Sequence, residues 1–119
     1  IGSRNVGAPG PGAGTYTIAK AGLTQMSRLA AIELAKFNIR VNIVHPDCVY
    51  DTDVWSQEIL QARAKQYGLS VQDYKQRNLL KTEVSSSDVA NLVTFLAGTK
   101  SNKTTGAQIP IDGGNDRII

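Results

Sequence analysis

Three residues near the start of the chain have the types and spacing needed for a proton-transfer site. Tyr16 and Lys20 stand four positions apart, and Ser3 lies thirteen residues before the tyrosine. On a helix, residues i and i+4 project from one face, so the Lys20 ammonium can lie beside the Tyr16 phenol and favour its ionised form. A phenol that titrates near pH ~10 acts as an acid or base near neutrality only with such help. Ser3 adds a hydroxyl that can donate a hydrogen bond to a substrate oxygen.

A tyrosine and a lysine four apart on a helix are more often a surface packing pair than a proton-transfer site. The neighbouring elements decide between these two interpretations. The segment from Ile1 to Gly14 carries five glycines and two prolines, which excludes a helix and indicates a loop leaving the end of a strand. Thr15 is then predicted to cap a helix from Tyr16 to Phe37, whose apolar positions recur with helical spacing. Tyr16 and Lys20 would lie in the first turns of this helix.

The following residues predict a strand and a second helix–strand unit. Residues 39–44 form a β-branched run ended by His45-Pro46, which is typical of a strand in a covered parallel sheet. A helix capped by Ser85 and ended by Gly98 should precede a last strand from Gln108 to Asp112. The alternation of helices and strands predicts an α/β fold.

The sequence resembles the short-chain dehydrogenase/reductase family over nearly its whole length. The resemblance rests on Ser3, on YxxxKAG from Tyr16, on IRVN with the proline that follows at Pro46, and on TGAQIPIDGG from Thr105. Four motifs in the correct order are far more specific than any one of them. The resemblance implies that residues 1–119 are the C-terminal, catalytic half of a doubly wound, Rossmann-like parallel-sheet domain. No glycine-rich dinucleotide fingerprint occurs, so the N-terminal dinucleotide-binding half is expected to lie upstream or to be absent.

The same resemblance implies the roles of the three residues. Tyr16 would be the general acid/base that exchanges a proton with the alcohol or carbonyl oxygen during hydride transfer. Lys20 would support the tyrosinate and bind the nicotinamide ribose hydroxyls, and Ser3 would orient the substrate oxygen and stabilise its developing charge. The cofactor would be NAD(H) or NADP(H), between which the sequence does not distinguish.

One departure from the family occurs after the first strand, where most members have Pro-Gly and this chain has Pro46-Asp47-Cys48-Val49. The turn contacts the nicotinamide carboxamide in the resembled family, so Pro46, Asp47 and Val49 are expected to bind the cofactor. Aspartate tolerates unusual backbone angles better than most residues, though less well than glycine, so the turn should still form.

A narrower resemblance concerns the substrate. The stretch NIVHPDCV and several residues after it are similar to the dehydrogenase portion of bifunctional rhamnulose-1-phosphate aldolase/lactaldehyde dehydrogenase proteins. This implies a small hydroxy-aldehyde such as lactaldehyde as substrate and an aldolase domain in the same polypeptide. The region from Asp51 to Thr82 would be the substrate lid, with two short helices at Val54 to Tyr67 and Val71 to Asn78. Its apolar residues are expected mostly to pack on the sheet edge, and Trp55 is a weaker candidate for substrate contact.

Two other functions are compatible with parts of the sequence. The departure at Asp47 would suit a noncatalytic partner domain that holds an aldolase in an oligomer. A net charge of +3 and a pI near 9.2 could suggest a basic nucleic-acid-binding module. However, the lysines and arginines are scattered from Arg4 to Arg117, whereas a phosphate backbone requires a patch or stripe. We therefore expect no nucleic-acid partner.

Composition sets the remaining expectations. Cys48 is the only cysteine and His45 the only histidine, too few for a metal site, and a single cysteine suits a cytoplasmic protein. No signal peptide or membrane-spanning segment is visible, so no membrane partner is expected. By resemblance, the helix from Tyr16 to Phe37 should mediate self-association into a homo-oligomer. Ile118 and Ile119 would then be either buried by a partner or part of a frayed terminus.

Overall fold

Two short parallel strands form the centre of the molecule. The computed structural model describes residues 1–115. Strand β1 (Ile43–Pro46) pairs with strand β2 (Gln108–Ile111), with Ile43 opposite Gln108 and Pro46 opposite Ile111. Parallel strands require a crossover connection, and residues 47–107 supply it here with helices. The predicted α/β architecture with a parallel sheet is confirmed.

The other edge of β1 is occupied by the start of the chain. The Gly2 amide donates to the Val44 carbonyl at 2.7 Å, so residues 1–3 run alongside β1 opposite β2. Ile43 and Val44 are each only 3% exposed. β1 is therefore an interior strand flanked by backbone on both sides.

The prediction that β1 begins at residue 39 was wrong by four residues. The Arg40 side chain instead crosses to the loop before β2, where its guanidinium donates to the carbonyls of Gly98 at 3.2 Å and Thr104 at 3.1 Å. The Val41 amide donates to the Thr105 hydroxyl at 3.1 Å. The Val41 carbonyl still accepts from the Gly106 amide at 2.7 Å, but the Asn42 side chain accepts from the Ala107 amide at 3.0 Å, so the regular ladder starts only at Ile43.

Helix α1 (Gly14–Leu34) carries the tyrosine and the lysine. It is followed by a 3-10 turn, Ala35–Phe37, and leaves through Asn38 in the left-handed region at φ 59°. The predicted cap at Thr15 was wrong: Ala13 occupies the N-cap position and makes no side-chain capping bond. The Thr17 amide already donates to the Ala13 carbonyl at 2.8 Å, which starts the helix before Thr15.

The face of α1 that the sequence marks as apolar is largely uncovered by the described residues. Only Thr24 and Ala31 of this helix are buried, whereas Ile18 and Ile32 are 74% and 76% exposed. The helix thus packs on the sheet through a narrow strip of small residues.

The lid region contains two helices that are shorter than predicted, α2 (Gln57–Gln66) and α3 (Val71–Lys75). Ser56 and Ser70 cap them, because each hydroxyl accepts an amide three residues later, at 3.3 Å and 3.0 Å. These caps fix the starts of the helices, and therefore α2 begins after Val54 rather than at it.

The two ends of the lid are tied together at its base. Val49 and Val84 form an isolated parallel bridge. Next to it, the Asp51 carboxylate accepts from the Ser86 amide at 2.9 Å and from the Ser86 hydroxyl at 2.7 Å. Residues 50–83 are thus a closed excursion from the sheet.

Helix α4 (Ser86–Ala97) has the predicted boundaries. Ser85 and Asp88 form a complete capping box, and Gly98 is the C-cap. After the 3-10 turn Thr99–Ser101, the chain enters β2 and then a turn in which Gly113 has a φ of +62°. The interpretation of Ile118 and Ile119 lies outside the described residues.

Within residues 1–115, no helix combines the length and the apolarity that crossing a bilayer would require.

The capping box gives a direct test of what holds α4. Replacing Ser85 by Ala removes the hydroxyl that accepts from the Asp88 amide, and we expect it to lower the free energy of unfolding by about 1 kcal/mol. Urea denaturation of the intact protein would measure the change. Ser87→Ala is the matched control, because Ser87 is exposed in the same turn and has no capping role. Equal stability of the two variants would contradict the assignment.

Candidate active site

A cleft of about 620 Å³ brings the predicted site residues together. It opens beside the carboxyl end of β1, where parallel α/β sheets usually bind their ligands. All six residues singled out by the sequence line it: Ser3, Tyr16, Lys20, Pro46, Asp47 and Val49. The lid forms the opposite wall.

Tyr16 and Lys20 face the cleft from neighbouring turns of α1. The Lys20 ammonium lies 5.7 Å from the centre of the Tyr16 ring and donates to the Ile1 carbonyl at 3.0 Å. An ammonium has three donors, so this bond leaves two for groups in the cleft. The Tyr16 side chain is about half exposed, which leaves its hydroxyl accessible to a ligand.

Ser3 is held at the floor of the cleft and is only 8% exposed. Its backbone is extended, and its hydroxyl oxygen accepts from the Asn5 amide at 3.2 Å, which caps the 3-10 turn Arg4–Val6. That bond uses a lone pair of the hydroxyl oxygen and leaves its hydrogen to donate to another oxygen. The arrangement suits a hydroxyl that orients a substrate carbonyl.

His45 is a supporting residue that the sequence reasoning did not assign to the site. Its Nδ1 lies 3.1 Å from the Ser3 amide nitrogen and 3.0 Å from the Ser3 carbonyl oxygen, so it bonds one or the other according to the tautomer. Gly2 makes this close approach possible, since a Cβ added there would lie 2.5 Å from the same Nδ1. The sequence shows a histidine at the end of a predicted buried strand, but only the fold shows what this side chain contacts.

The turn after β1 forms without a glycine. Among the described residues, the non-glycine residues with positive φ are Asn38 and Lys81, so Asp47 takes an ordinary backbone conformation. The Asp47 amide donates to the Ile111 carbonyl at 3.2 Å and continues the sheet ladder. Thr52 donates its hydroxyl to the Val49 carbonyl at 2.8 Å, which closes the turn.

Comparison with known proteins identifies this arrangement. A family model described as "Enoyl-(Acyl carrier protein) reductase" matches residues 2–116. The chain belongs to the short-chain dehydrogenase/reductase family. A short-chain dehydrogenase structure from Francisella tularensis has the same fold, with a TM-score of 0.81 and 35% identity over 98% of this chain and 49% of that one.

Two curated relatives agree with this family. The uncharacterized oxidoreductase YuxG of Bacillus subtilis is 35% identical over 96% of this chain and 17% of its own length. An uncharacterized NAD-dependent oxidoreductase of Mycobacterium tuberculosis, MT0715, is 34% identical over 87% of this chain and 38% of its own length. The chain thus spans less than half of each of these relatives.

Within this short-chain dehydrogenase/reductase chain, the Asp47 side chain is the centre of a polar cluster. Its carboxylate is 10% exposed and accepts from Arg4 Nε at 2.8 Å, from Arg77 at 3.5 Å and from the Asn115 amide. Arg4 directly follows Ser3, and Arg77 belongs to the lid. The sequence predicted a role for Asp47 in the turn but did not predict these partners.

Aromatic rings of the lid surround Arg77. Its guanidinium lies 4.2 Å from the centre of the Tyr74 ring and donates to the Tyr50 hydroxyl at 2.8 Å. Burial raises the pKa of Tyr74 to about 12 and also raises that of Tyr50, so both phenols ionise at a higher pH than an ordinary tyrosine. Trp55 packs on Tyr50 with ring centres 5.1 Å apart, consistent with its place in the cleft lining.

The described residues offer no metal centre. Within residues 1–115, no group of three or more histidine, cysteine, aspartate or glutamate side chains lies close enough to hold an ion.

Gly2 provides a test of the packing beneath Ser3. Gly2→Ala would place a methyl group against the His45 ring, and we expect overpacking to lower the free energy of unfolding by about 1–3 kcal/mol. Gly22→Ala is the matched control, because a Cβ at Gly22 meets nothing within 4 Å and alanine favours helix. Denaturation curves that show Gly2→Ala to be as stable as Gly22→Ala would contradict the close approach.

Cys48 provides a test of the electrostatics of the cluster. Burial raises the pKa of the Cys48 thiol, and the neighbouring Asp47 carboxylate raises it further. An ordinary thiol is half-ionised near pH ~8.5, so its alkylation rate is half-maximal there and reaches a plateau only at higher pH. We expect the half-maximal alkylation rate of Cys48 with iodoacetamide to lie above pH ~8.5 in the folded protein and to return to about that pH after unfolding. A half-maximal rate near pH ~8.5 in the folded protein would refute this picture.

Proposed function

We propose that the protein interconverts an alcohol and a carbonyl compound by hydride transfer with NAD(H) or NADP(H). The observation that carries the proposal is the convergence of Ser3, Tyr16 and Lys20 on one cleft at the carboxyl end of β1. The family of the chain supports this cofactor class, as does its similarity to MT0715, which is named an NAD-dependent oxidoreductase.

The cleft fits a nicotinamide cofactor in its donor set. Two ammonium hydrogens of Lys20 remain to donate to ribose hydroxyls. The turn of Pro46, Asp47 and Val49 lines the same cleft. When bound, the nicotinamide supplies or accepts the hydride. We propose that these residues and Tyr16 hold its nicotinamide end.

The residues of this chain would manage the proton and the oxygen of the substrate. The Ser3 hydroxyl would donate a hydrogen bond to the carbonyl oxygen and stabilise its developing negative charge. The Tyr16 hydroxyl would give its proton to that oxygen in reduction and take one from it in oxidation. The Lys20 ammonium beside the ring stabilises the tyrosinate left behind.

For the substrate we propose a small hydroxy-aldehyde such as lactaldehyde, with an aldolase domain in the same polypeptide. The length of YuxG supports a longer protein of this kind. The matched region is 17% of YuxG but 38% of MT0715, so YuxG has much sequence beyond a dehydrogenase of ordinary length. The aromatic wall of Trp55, Tyr67 and Tyr74 would pack on a short carbon chain.

The alternative of a noncatalytic partner domain depends on the departure at Asp47. The aspartate leaves the backbone of the turn unstrained, and Ser3, Tyr16 and Lys20 still line one cleft, so the structure adds no support to that alternative.

For the quaternary state we propose a homo-oligomer that packs through α1, because exposed Ile18 and Ile32 form an apolar face there.

Replacing Tyr16 by Phe tests the proposed chemistry. The variant lacks only the phenolic oxygen, and we expect kcat to fall by about 10²- to 10⁴-fold while the fold and NADH binding are kept. Nicotinamide absorbance during lactaldehyde turnover measures kcat, and circular dichroism and NADH fluorescence titration check the fold and the cofactor. Turnover retained in Tyr16→Phe would refute the role of Tyr16. A wild-type protein that reduces other carbonyls but not lactaldehyde would overturn only the substrate.

A further inference from the structure

Asp47 joins three segments that are distant in sequence. Arg4 comes from the loop after Ser3, Arg77 from the end of the lid, and Asn115 from the turn after β2, and all three donate to the one carboxylate. The shortest separation in sequence among these contacts is thirty residues. Among the described residues, Asp47 carries the one carboxylate that lines this cleft.

The surroundings of the carboxylate explain why it must be fully bonded. A carboxylate that is 10% exposed loses most of its hydration, a cost of several kcal/mol that only good hydrogen bonds and opposite charge offset. Two guanidinium groups and an amide supply both. Loss of one partner would leave the buried carboxylate incompletely bonded. This favours its hydration and the separation of the segments that it joins.

Arg77 is held in one orientation by more than this ion pair. Its two terminal nitrogens donate to the Tyr50 hydroxyl, the Tyr74 carbonyl, the Cys48 sulfur and Asp47, while its plane lies over the Tyr74 ring. Tyr50 and Tyr74 belong to the base of the lid and to the lid, whereas Asp47 and Cys48 belong to the turn after β1. Arg77 is thus the connection between the lid and the turn.

On the other side of the carboxylate, Arg4 connects the turn after β1 to the loop that follows Ser3, here called the catalytic loop. Its Nε donates to Asp47 at 2.8 Å, and its terminal nitrogen donates to the Ala8 carbonyl at 3.2 Å. The second bond closes the loop that follows Ser3. One oxygen of the carboxylate therefore bonds Arg4 of the catalytic loop, and the other bonds Arg77 of the lid.

We propose that Asp47 is a positioning residue that seats the lid against the catalytic loop through Arg4 and Arg77. It does not touch the reacting atoms. Without its charge, the lid would detach from the turn and the substrate side of the cleft would widen, while the backbone of the turn, held by the Ile111 carbonyl, would remain. The kinetic part of this inference rests on the proposed function, whereas the structural part does not.

The test compares four forms of the intact protein: wild type, Asp47→Asn, Arg77→Gln and the double variant. Glu83→Gln is the matched control, since it breaks the exposed Lys75–Glu83 ion pair of the same lid, at 2.9 Å, away from the cleft. Amide hydrogen exchange of α2 and α3 is the first readout. We expect exchange there to rise about tenfold or more in Asp47→Asn, with α1 and α4 unchanged, and to stay near the wild-type value in Glu83→Gln.

Kinetics provide the second readout. We expect KM for the carbonyl substrate to rise on the order of tenfold in Asp47→Asn, with a smaller change in kcat. Because the two side chains share a contact, the effect of the double variant should be smaller than the sum of the effects of the two single variants.

Three results would overturn the proposal. One is a lid in Asp47→Asn that exchanges as slowly as in wild type, and another is exchange that rises equally in α1, α4 and the lid, which indicates general destabilisation. The third is additivity of the two substitutions. If Asp47→Asn does not fold, Arg77→Gln gives the same exchange test, because it leaves Asp47 paired with Arg4 and Asn115. Faster lid exchange in a protein without turnover would uphold the positioning role and refute the proposed function alone.

Discussion

The geometry of the site depends on the backbone pairing of the first residues of the chain with β1. The hydrogen bond from the Gly2 amide to the Val44 carbonyl places Ser3 directly beside His45, and the strand then delivers Pro46 and its turn to the same edge. β2 supports this strand from the other side, and α1 lies across the edge with Tyr16 and Lys20. A shift of β1 by one residue would turn His45 away from Ser3, because successive side chains of a strand point to opposite faces.

Charge is distributed unevenly around the cleft. Within residues 1–115, four cationic side chains line it, Arg4, Lys20, Arg63 and Arg77, together with one carboxylate, that of Asp47. The phenols of Tyr50 and Tyr74 are neutral near neutral pH like ordinary phenols, and burial raises their pKa further, so they add no negative charge there. In the proposed reaction, the positive charge would favour the anionic oxygen that hydride transfer to a carbonyl creates and that proton transfer then neutralises.

The sequence was sufficient to predict what depends on local patterns. The capping box of Ser85, the stop at Gly98 and the shared face of Tyr16 and Lys20 each follow from residues within a few positions of one another. What it could not give depends on distant contacts. The late start of β1 is due to Arg40 bonding to carbonyls some sixty residues away, and the partners of Asp47 come from both ends of the chain. The helix of the tyrosine begins before Thr15 because the backbone of Ala13 already starts it, a choice that capping preferences alone do not decide.

The closed base of the lid has a consequence for how such a domain can change over evolution. The Val49–Val84 bridge and the Asp51–Ser86 bonds fix both ends of residues 50–83. The position of the flanking strand and helix therefore does not depend on the length of the segment between them. The entropy of closing a flexible segment grows only with the logarithm of its length, by about 0.6 kcal/mol for each doubling. Insertions and deletions in the exposed parts of the lid can therefore accumulate at little cost to folding, whereas buried residues such as Leu60, Ala64 and Tyr74 restrict replacement. A duplicated copy of this domain could acquire a different substrate by drift in this one segment, provided that a connection equivalent to Arg77 and Asp47 is kept or rebuilt.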